Sequence, residues 1–174
     1  GYEMPIQYET GIIKEHITTR NNSGIFDVSH MGQLFLKGGD ELTNDLQKIF
    51  PIDLAKISIN QSKYSFLMKD NGGIYDDLII TKLKDGYMII LNAACKEADL
   101  NILKSKIGEK YQINLSDNLS LIAIQGPKAK DVLDSIVPGV IKLKFMNGNQ
   151  FKYKDSDIYI TRSGYTCLLY TSDA

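Results

Sequence analysis

The sequence has few cysteines and histidines, which limits the redox and metal chemistry open to it. Cys95 and Cys167 are its two cysteines, and His16 and His30 are its two histidines. A structural zinc site needs about four nitrogen or sulfur ligands. Since these side chains are scattered and no Cys-x-x-Cys pair is present, we expect no metal site. We interpret Cys95 as a free buried thiol in a reducing compartment such as the cytoplasm.

An excess of charge of one sign and long apolar runs are absent as well. The 174 residues include 20 basic and 21 acidic side chains, for a net charge of −1. A broad nucleic-acid surface requires a basic excess, so we expect no nucleic-acid partner. No run of about 18 apolar residues is present, so we expect no membrane span. The apolar share of 43% suffices for a packed core.

The clearest signal in the sequence is a β region at its centre. Residues 64–68 lead into the turn signal Asp70-Asn71-Gly72-Gly73, residues 74–82 return, and Asp85-Gly86 precedes a third run over 87–92. Asn and Gly favour such turns because they tolerate positive φ. The pattern predicts a β-meander of three antiparallel strands.

Helical and extended patterns alternate around this meander. Apolar spacing predicts helices over 10–22, from Asp40 onward, over 96–110 and after Gly126-Pro127. The last of these helices is expected to have a core face formed by Ala129, Val132, Leu133, Ile136 and Val137. The sequence also predicts a buried strand over 119–124 and a hairpin within 151–161. Short turns join neighbouring strands, which favours antiparallel sheets over a parallel doubly wound sheet. The predicted fold class is therefore α+β, with antiparallel sheets and packed helices.

The pair Asp76-Asp77 is the first candidate for chemistry. Side chains alternate along a strand, so the two carboxylates face opposite sides of the sheet. An inward carboxylate next to Leu78 needs a partner, because an unpaired buried charge is costly. A ligand with N–H donors is one such partner. An acidic strand end that flanks the preceding turn is the alternative, and the spacing leaves both open.

Two further motifs are better explained by structure than by chemistry. Asp27, Ser29 and His30 are the residue types of a catalytic triad, but triad members rarely lie this close in sequence. The segment Gln125-Gly126-Pro127-Lys128 precedes a predicted helix. It has too few glycines for a phosphate loop, so a strand-to-helix turn is favoured.

Six motifs together carry a family resemblance. In chain order they are Gly1-Tyr2-Glu3-Met4-Pro5-Ile6-Gln7-Tyr8, Phe26-Asp27-Val28-Ser29-His30-Met31-Gly32, Asn71-Gly72-Gly73-Ile74-Tyr75-Asp76-Asp77-Leu78-Ile79, Asn92-Ala93-Ala94, Gln125-Gly126-Pro127-Lys128-Ala129 and Thr161-Arg162-Ser163-Gly164-Tyr165-Thr166. In that order they resemble the N-terminal half of the aminomethyltransferase family, the T protein of the glycine cleavage system.

The resemblance implies a reaction and a set of site residues. A lipoyl-carrying H protein delivers an aminomethyl group, tetrahydrofolate takes the one-carbon unit as 5,10-methylenetetrahydrofolate, and ammonia leaves. The family's key acid corresponds to Asp77, while Asp76 is solvent-facing or structural. The matching folate-pocket positions are Met31, Tyr64, Ile79 and Asn92, joined by Tyr165. The implied compartment is the cytoplasm, or the mitochondrial matrix in a eukaryote.

The resemblance also implies a domain plan. Residues 1–33 and 117–166 would form a discontinuous first folate-binding domain, and residues 34–116 a ferredoxin-like second domain. After Thr166 the family continues Gly-Glu-Asp-Gly, whereas this chain continues Cys167-Leu168-Leu169-Tyr170, which resembles a translated sequencing adaptor. We expect residues 167–174 to be non-native, a C-terminal β-barrel domain to be absent, and the chain alone to be inactive.

Three other functions fit parts of the pattern. A folate-dependent demethylase, or the folate domain of a sarcosine-type dehydrogenase, would act on a sulfonium or N-methyl compound. A non-enzymatic folate-binding factor for iron–sulfur assembly would keep the fold, although the presence of Asp77 speaks against it. An interaction domain without ligand would require Asp77 and Tyr64 to face away from any cavity.

Overall fold

The structure is a computed structural model that describes residues 2–164. Four α-helices and nine β-strands follow one another along this part of the chain. In order they are α1 (Ile12–Asn21), β1 (Gly24–Asp27), β2 (Gly32–Lys37), α2 (Asp40–Leu46), β3 (Ser62–Met68), β4 (Ile74–Leu83), β5 (Gly86–Leu91), α3 (Lys96–Ile107), β6 (Gln112–Leu115), β7 (Ile122–Gln125), α4 (Ala129–Ile136), β8 (Asn147–Tyr153) and β9 (Ser156–Arg162). Of the helices described, none combines the length and apolar character of a membrane span.

The chain divides into two compact units. Among the described residues, one unit comprises 2–28 and 120–164, and the other comprises 29–119. The second unit contains a five-stranded antiparallel sheet in the order β3-β4-β5-β2-β6. The predicted meander is confirmed as β3-β4-β5, and the α+β class is confirmed by antiparallel sheets with packed helices. The assignment of the two units as the family's domains stays a prediction.

The apolar core of the second unit lies between the five-stranded sheet and two helices. Every second side chain of β2, β4 and β5 points to this face, and each of these strands contributes buried leucine or isoleucine. Helices α2 and α3 cover the same face with Leu42, Leu46, Leu103 and Ile107. Each such side chain contributes about 1.5–3 kcal/mol when removed from water, so this core holds the sheet in place.

The opposite face of the sheet is formed by the alternate residues of the same strands. Tyr64 on β3 pairs with Ile79 on β4, and Ile79 pairs with Ile90 on β5. Tyr64, Ile79 and Ile90 are only half-buried. We call this surface the outer face, and it carries the candidate site.

The unit of residues 2–28 and 120–164 contains two separate strand pairs. Strand β1 pairs with β7, and β8 pairs with β9, all antiparallel. The predicted hairpin within 151–161 is confirmed, with its turn between Tyr153 and Ser156.

Two burial predictions in this unit are wrong. The strand near 119–124 begins at Ile122, which is 48% exposed, and Leu119 precedes it with 51% exposure. Helix α4 buries Ala129 but exposes Val132 and Ile136, which we predicted to lie in a core. The physical reason is that β1 and β7 form a sheet of just two strands, which is too narrow to bury several apolar positions.

The turn between β4 and β5 depends on a glycine. Gly86 has φ of 144°, and a Cβ at this position would overlap the backbone carbonyl of Leu36 on the neighbouring strand β2. Gly86 pairs with Lys37, so the overlap falls inside the sheet. A side chain here would strain the backbone and separate β5 from β2.

We predict that Gly86→Ala lowers the free energy of unfolding by about 3 kcal/mol, because positive-φ strain and a backbone clash add. Gly72→Ala is the matched control, since Gly72 has φ of 84° but no atom lies within 4 Å of its added Cβ. That control loses about 1 kcal/mol. Urea denaturation of both variants measures the difference, and equal losses would contradict the close approach of β5 to β2.

Candidate functional site

The two neighbouring aspartates of β4 face opposite sides of the sheet. Asp76 shares the core face with Leu78 and Ile80 and is half-buried. Asp77 lies on the outer face with Ile79 and is exposed. The predicted division of the pair into an inward and an outward carboxylate is confirmed.

Asn92 directly follows β5, and its side chain hydrogen-bonds to both aspartates. Its amide nitrogen Nδ2 donates to Oδ1 of Asp76 at 2.9 Å. The same nitrogen lies 3.1 Å from the backbone oxygen of Asp77 and 3.3 Å from its Oδ1. An amide nitrogen has two hydrogens, so at least one of them is shared between acceptors. The bond to Asp76 is the shortest, and Asn92 therefore links a core-side carboxylate to an exposed one.

The sequence-predicted pocket residues lie along this part of the sheet. Tyr64 is the direct cross-strand partner of Ile79, two positions from Asp77 on the same face. Gly32 pairs with Leu91, so Met31 and Asn92 are the residues that flank this last pair of β2 and β5. Tyr64, Ile79 and Asn92 thus lie on the strand of Asp77 or beside it, whereas Met31 precedes β2, which β5 separates from β4. Their assignment to a folate pocket stays a prediction. Tyr165 lies outside the described residues.

Phe66 is a neighbour of Asp77 that was not predicted from the sequence. It is the direct cross-strand partner of Asp77, and 44% of it is exposed on the outer face. Side chains alternate along a strand, so Tyr64 and Phe66 lie on the same face of β3. The same alternation could have identified Phe66 from the sequence once Tyr64 was assigned to the site. The exposed carboxylate therefore stands beside an aromatic ring that is also open to solvent.

Beneath the outer face, Asp76 meets a second buried acid. Asp99 in the first turn of α3 is 2% exposed, and its carboxyl lies close enough to that of Asp76 to be affected by its charge. Burial, with a smaller contribution from Asp76, raises the pKa of the Asp99 carboxyl from 3.8 to about 7. Asp99 was not predicted from the sequence either, although its spacing to Leu103 and Ile107 places it on the buried stripe of the helix.

Cys95 completes the surroundings of Asp76. The thiol is half-buried and free, in the turn between β5 and α3, which agrees in part with the predicted buried thiol. The negative charge of Asp76, followed by burial and by Asp99, raises the pKa of the Cys95 thiol. The thiolate is therefore disfavoured, and the residue is a poor nucleophile. Within residues 2–164, no group of three acidic, cysteine or histidine side chains is arranged to bind a metal ion.

The motif around Gly126 has a structural explanation. Gly126 has φ of 126°, and a Cβ there would approach the backbone oxygen of Asn22 to 2.5 Å. The backbone N–H of Lys128 donates to that same oxygen at 2.9 Å. The favoured interpretation as a strand-to-helix turn agrees with this close packing of the α4 start against the end of α1.

Comparison with known proteins places this architecture in a family. The model of the family described as the GCVT N-terminal domain matches residues 1–169. A mitochondrial aminomethyltransferase of Dictyostelium discoideum is 38% identical over 176 residues, which covers 95% of this chain and 43% of that protein. An aminomethyltransferase of Flavobacterium psychrophilum is 42% identical over 173 residues, with 95% and 47% covered.

A solved structure agrees with these relatives. The crystal structure of the glycine cleavage system aminomethyltransferase T from Bartonella henselae is similar with a TM-score of 0.85 and 38% identity, over 95% of this chain and 45% of that one. The chain spans about half the length of the curated relatives it matches. The resemblance that the six motifs carry is confirmed, and the chain belongs to the GCVT N-terminal domain family.

Proposed function

We propose that this chain is the folate-binding part of an aminomethyltransferase of the glycine cleavage system. The enzyme would take an aminomethyl group from the lipoyl arm of an H protein and deliver its carbon to tetrahydrofolate. The observation that carries the proposal is the exposed Asp77 carboxylate, bonded by Asn92 on a face lined with aromatic and aliphatic side chains. The relatives named aminomethyltransferase supply the reaction class.

The residues present fit a reduced pterin as co-substrate. A pterin is flat and carries several ring N–H groups, so it needs apolar surface beside a hydrogen-bond acceptor. Phe66 and Tyr75 are 44% and 46% exposed near Asp77, and Tyr64 and Ile79 extend the surface. A carboxylate accepts hydrogen bonds from N–H groups and does not donate when ionised. We assign Met31, Tyr64, Ile79 and Asn92 to the folate pocket as part of this proposal, and add Phe66.

In this mechanism Asp77 orients the acceptor and holds a proton. Forming one methylene bridge between two folate nitrogens releases two protons, while the lipoyl sulfur and the departing ammonia each take up one. A carboxylate at the reacting nitrogen can accept one of these protons and pass it on. Asn92 fixes the orientation of the Asp77 carboxylate, because its amide hydrogen-bonds to both the side chain and the backbone of that residue. The H protein and the compartment, cytoplasm or mitochondrial matrix, belong to the same proposal.

We predict that Asp77→Asn lowers kcat for methylenetetrahydrofolate formation by about 100-fold or more, since a general acid–base group is lost. The protein expressed from its complete reading frame is assayed with aminomethylated H protein. The dissociation constant for tetrahydrofolate stays within about threefold, because the amide fills the same space.

Asp85→Asn is the control for this substitution. Asp85 lies exposed in the turn between β4 and β5, eight residues along the chain from Asp77, so the same chemical change leaves kcat unaltered. Unchanged transfer by Asp77→Asn would reject the role of that carboxylate. Efficient transfer from an N-methyl or sulfonium donor, with none from the H protein, would favour a folate-dependent demethylase instead.

We also predict that the 174 residues alone support no glycine-dependent turnover with the other cleavage components. The chain spans about half the length of its curated relatives, so we assign part of the folate and H-protein contacts to the other half. The product of the complete reading frame, assayed in parallel, is the positive control. Robust turnover by the 174 residues would overturn this part of the proposal.

A further inference from the structure

We propose that Asp99 is a positioning residue that orients Asp77 through Asp76 and Asn92, an inference that rests on the proposed function. Asp99 belongs to α3, behind the sheet, and so has no place on the outer face itself. The connection has three links: Asp99 to Asp76, Asp76 to Asn92, and Asn92 to Asp77. None of the six motifs draws attention to Asp99, because it lies outside all of them.

The first link is a proton shared between Asp76 and Asp99. The Oδ2 atoms of both residues are buried, and within residues 2–164 neither has a hydrogen-bond donor. Two ionised carboxylates in contact repel each other, and a proton between them both removes the repulsion and satisfies both oxygens. The raised pKa of the Asp99 carboxyl agrees with such a proton.

The second link passes from Asp76 to the outer face. Its other oxygen, Oδ1, accepts the 2.9 Å hydrogen bond from the Asn92 amide. With Oδ2 fixed by Asp99, the carboxylate of Asp76 presents Oδ1 in one direction. The Asn92 amide is thereby fixed as well, and it is the group that approaches Oδ1 of Asp77 at 3.3 Å.

The shared proton decides whether this connection holds. When the pair binds one proton, Asp76 is a directed acceptor for Asn92. When the proton is lost, two negative charges face each other, and the amide of Asn92 is drawn toward the core. Two titratable groups lie near the pair: Asp77, on the same strand as Asp76, and the Cys95 thiol before α3.

Two variants of Asp99 separate positioning from bulk stability. In Asp99→Asn, the amide is a permanent donor to Asp76 and replaces the proton. In Asp99→Leu, the volume is kept but the donor is lost. We predict that Asp99→Asn keeps kcat within about threefold, while Asp99→Leu lowers it about tenfold or more with KM for tetrahydrofolate nearly unchanged. A kcat equal to that of the unmodified protein in Asp99→Leu, or equal losses in both variants, would overturn the inference.

A second measurement tests the positioning without reference to activity. In the protein from the complete reading frame, labelled with 15N-asparagine, the Asn92 side-chain signals are identified by their loss in Asn92→Ser. We expect them to shift as pH passes through about 7, and to stay constant in Asp99→Asn. Signals that do not titrate in the unmodified protein would overturn the positioning. This measurement does not use Asp99→Leu, so it tests the positioning even if that variant fails to fold.

The two proposals fail in different ways. If Asp77→Asn leaves transfer unchanged while the Asn92 signals titrate with Asp99, the proposed function is wrong and the hydrogen-bond connection is correct. If Asp77→Asn abolishes transfer but the Asn92 signals ignore Asp99, the function stands and the positioning role is rejected.

The shared proton also gives a stability signature. The folded state holds it up to about pH 7, whereas an unfolded aspartate loses it near pH 3.8. The folded state therefore binds more protons between these values, and stability falls as pH rises through this window. We predict that Asp99→Asn removes this part of the decline in the urea midpoint between pH 4 and 7. An identical decline in the variant would assign the titration to another group.

Discussion

The alternation of side chains along β4 is the constraint on which the site depends. Because consecutive residues of a strand face opposite sides, Asp76 and Asp77 cannot share one environment. A shift of one residue in register would exchange them and expose Leu78 and Ile80 to solvent. The leucine-rich core between the sheet and α2 and α3 therefore fixes which carboxylate faces outward. The apolar packing of one face thus decides the chemistry available on the other.

Burial of the inward carboxylate, Asp76, is a cost to the stability of the fold and not a gain. Burying Asp76 and Asp99 side by side costs free energy unless their charge is reduced and their oxygens find partners. Asn92 supplies a donor to one oxygen of Asp76, and the proton that we propose Asp76 and Asp99 share would satisfy the other, which is buried without a donor among the described residues. An aliphatic pair would fill the same space at lower cost. Unlike an aliphatic pair, Asp76 and Asp99 fix the orientation of the Asn92 amide, which in turn hydrogen-bonds to Asp77.

The sequence predicts much of this arrangement, for physical reasons that differ by residue. Turn chemistry at Asn71-Gly72 and Gly86 predicts the meander, and alternation predicts the separation of Asp76 from Asp77. Asp99 could not be paired with Asp76 from sequence, because that contact depends on how α3 crosses the sheet. The expected buried strand near Ile122 was wrong, since apolar composition does not reveal how many strands a sheet contains.

Binding of the pterin of tetrahydrofolate to the outer face around Asp77 is the central claim. The most direct test is a crystal structure of the protein from its complete reading frame with tetrahydrofolate bound. We predict a ring nitrogen within about 3 Å of an Asp77 carboxylate oxygen, with the ring against Phe66 and Tyr64. A pterin bound elsewhere, with Asp77 contacting solvent alone, would contradict the claim.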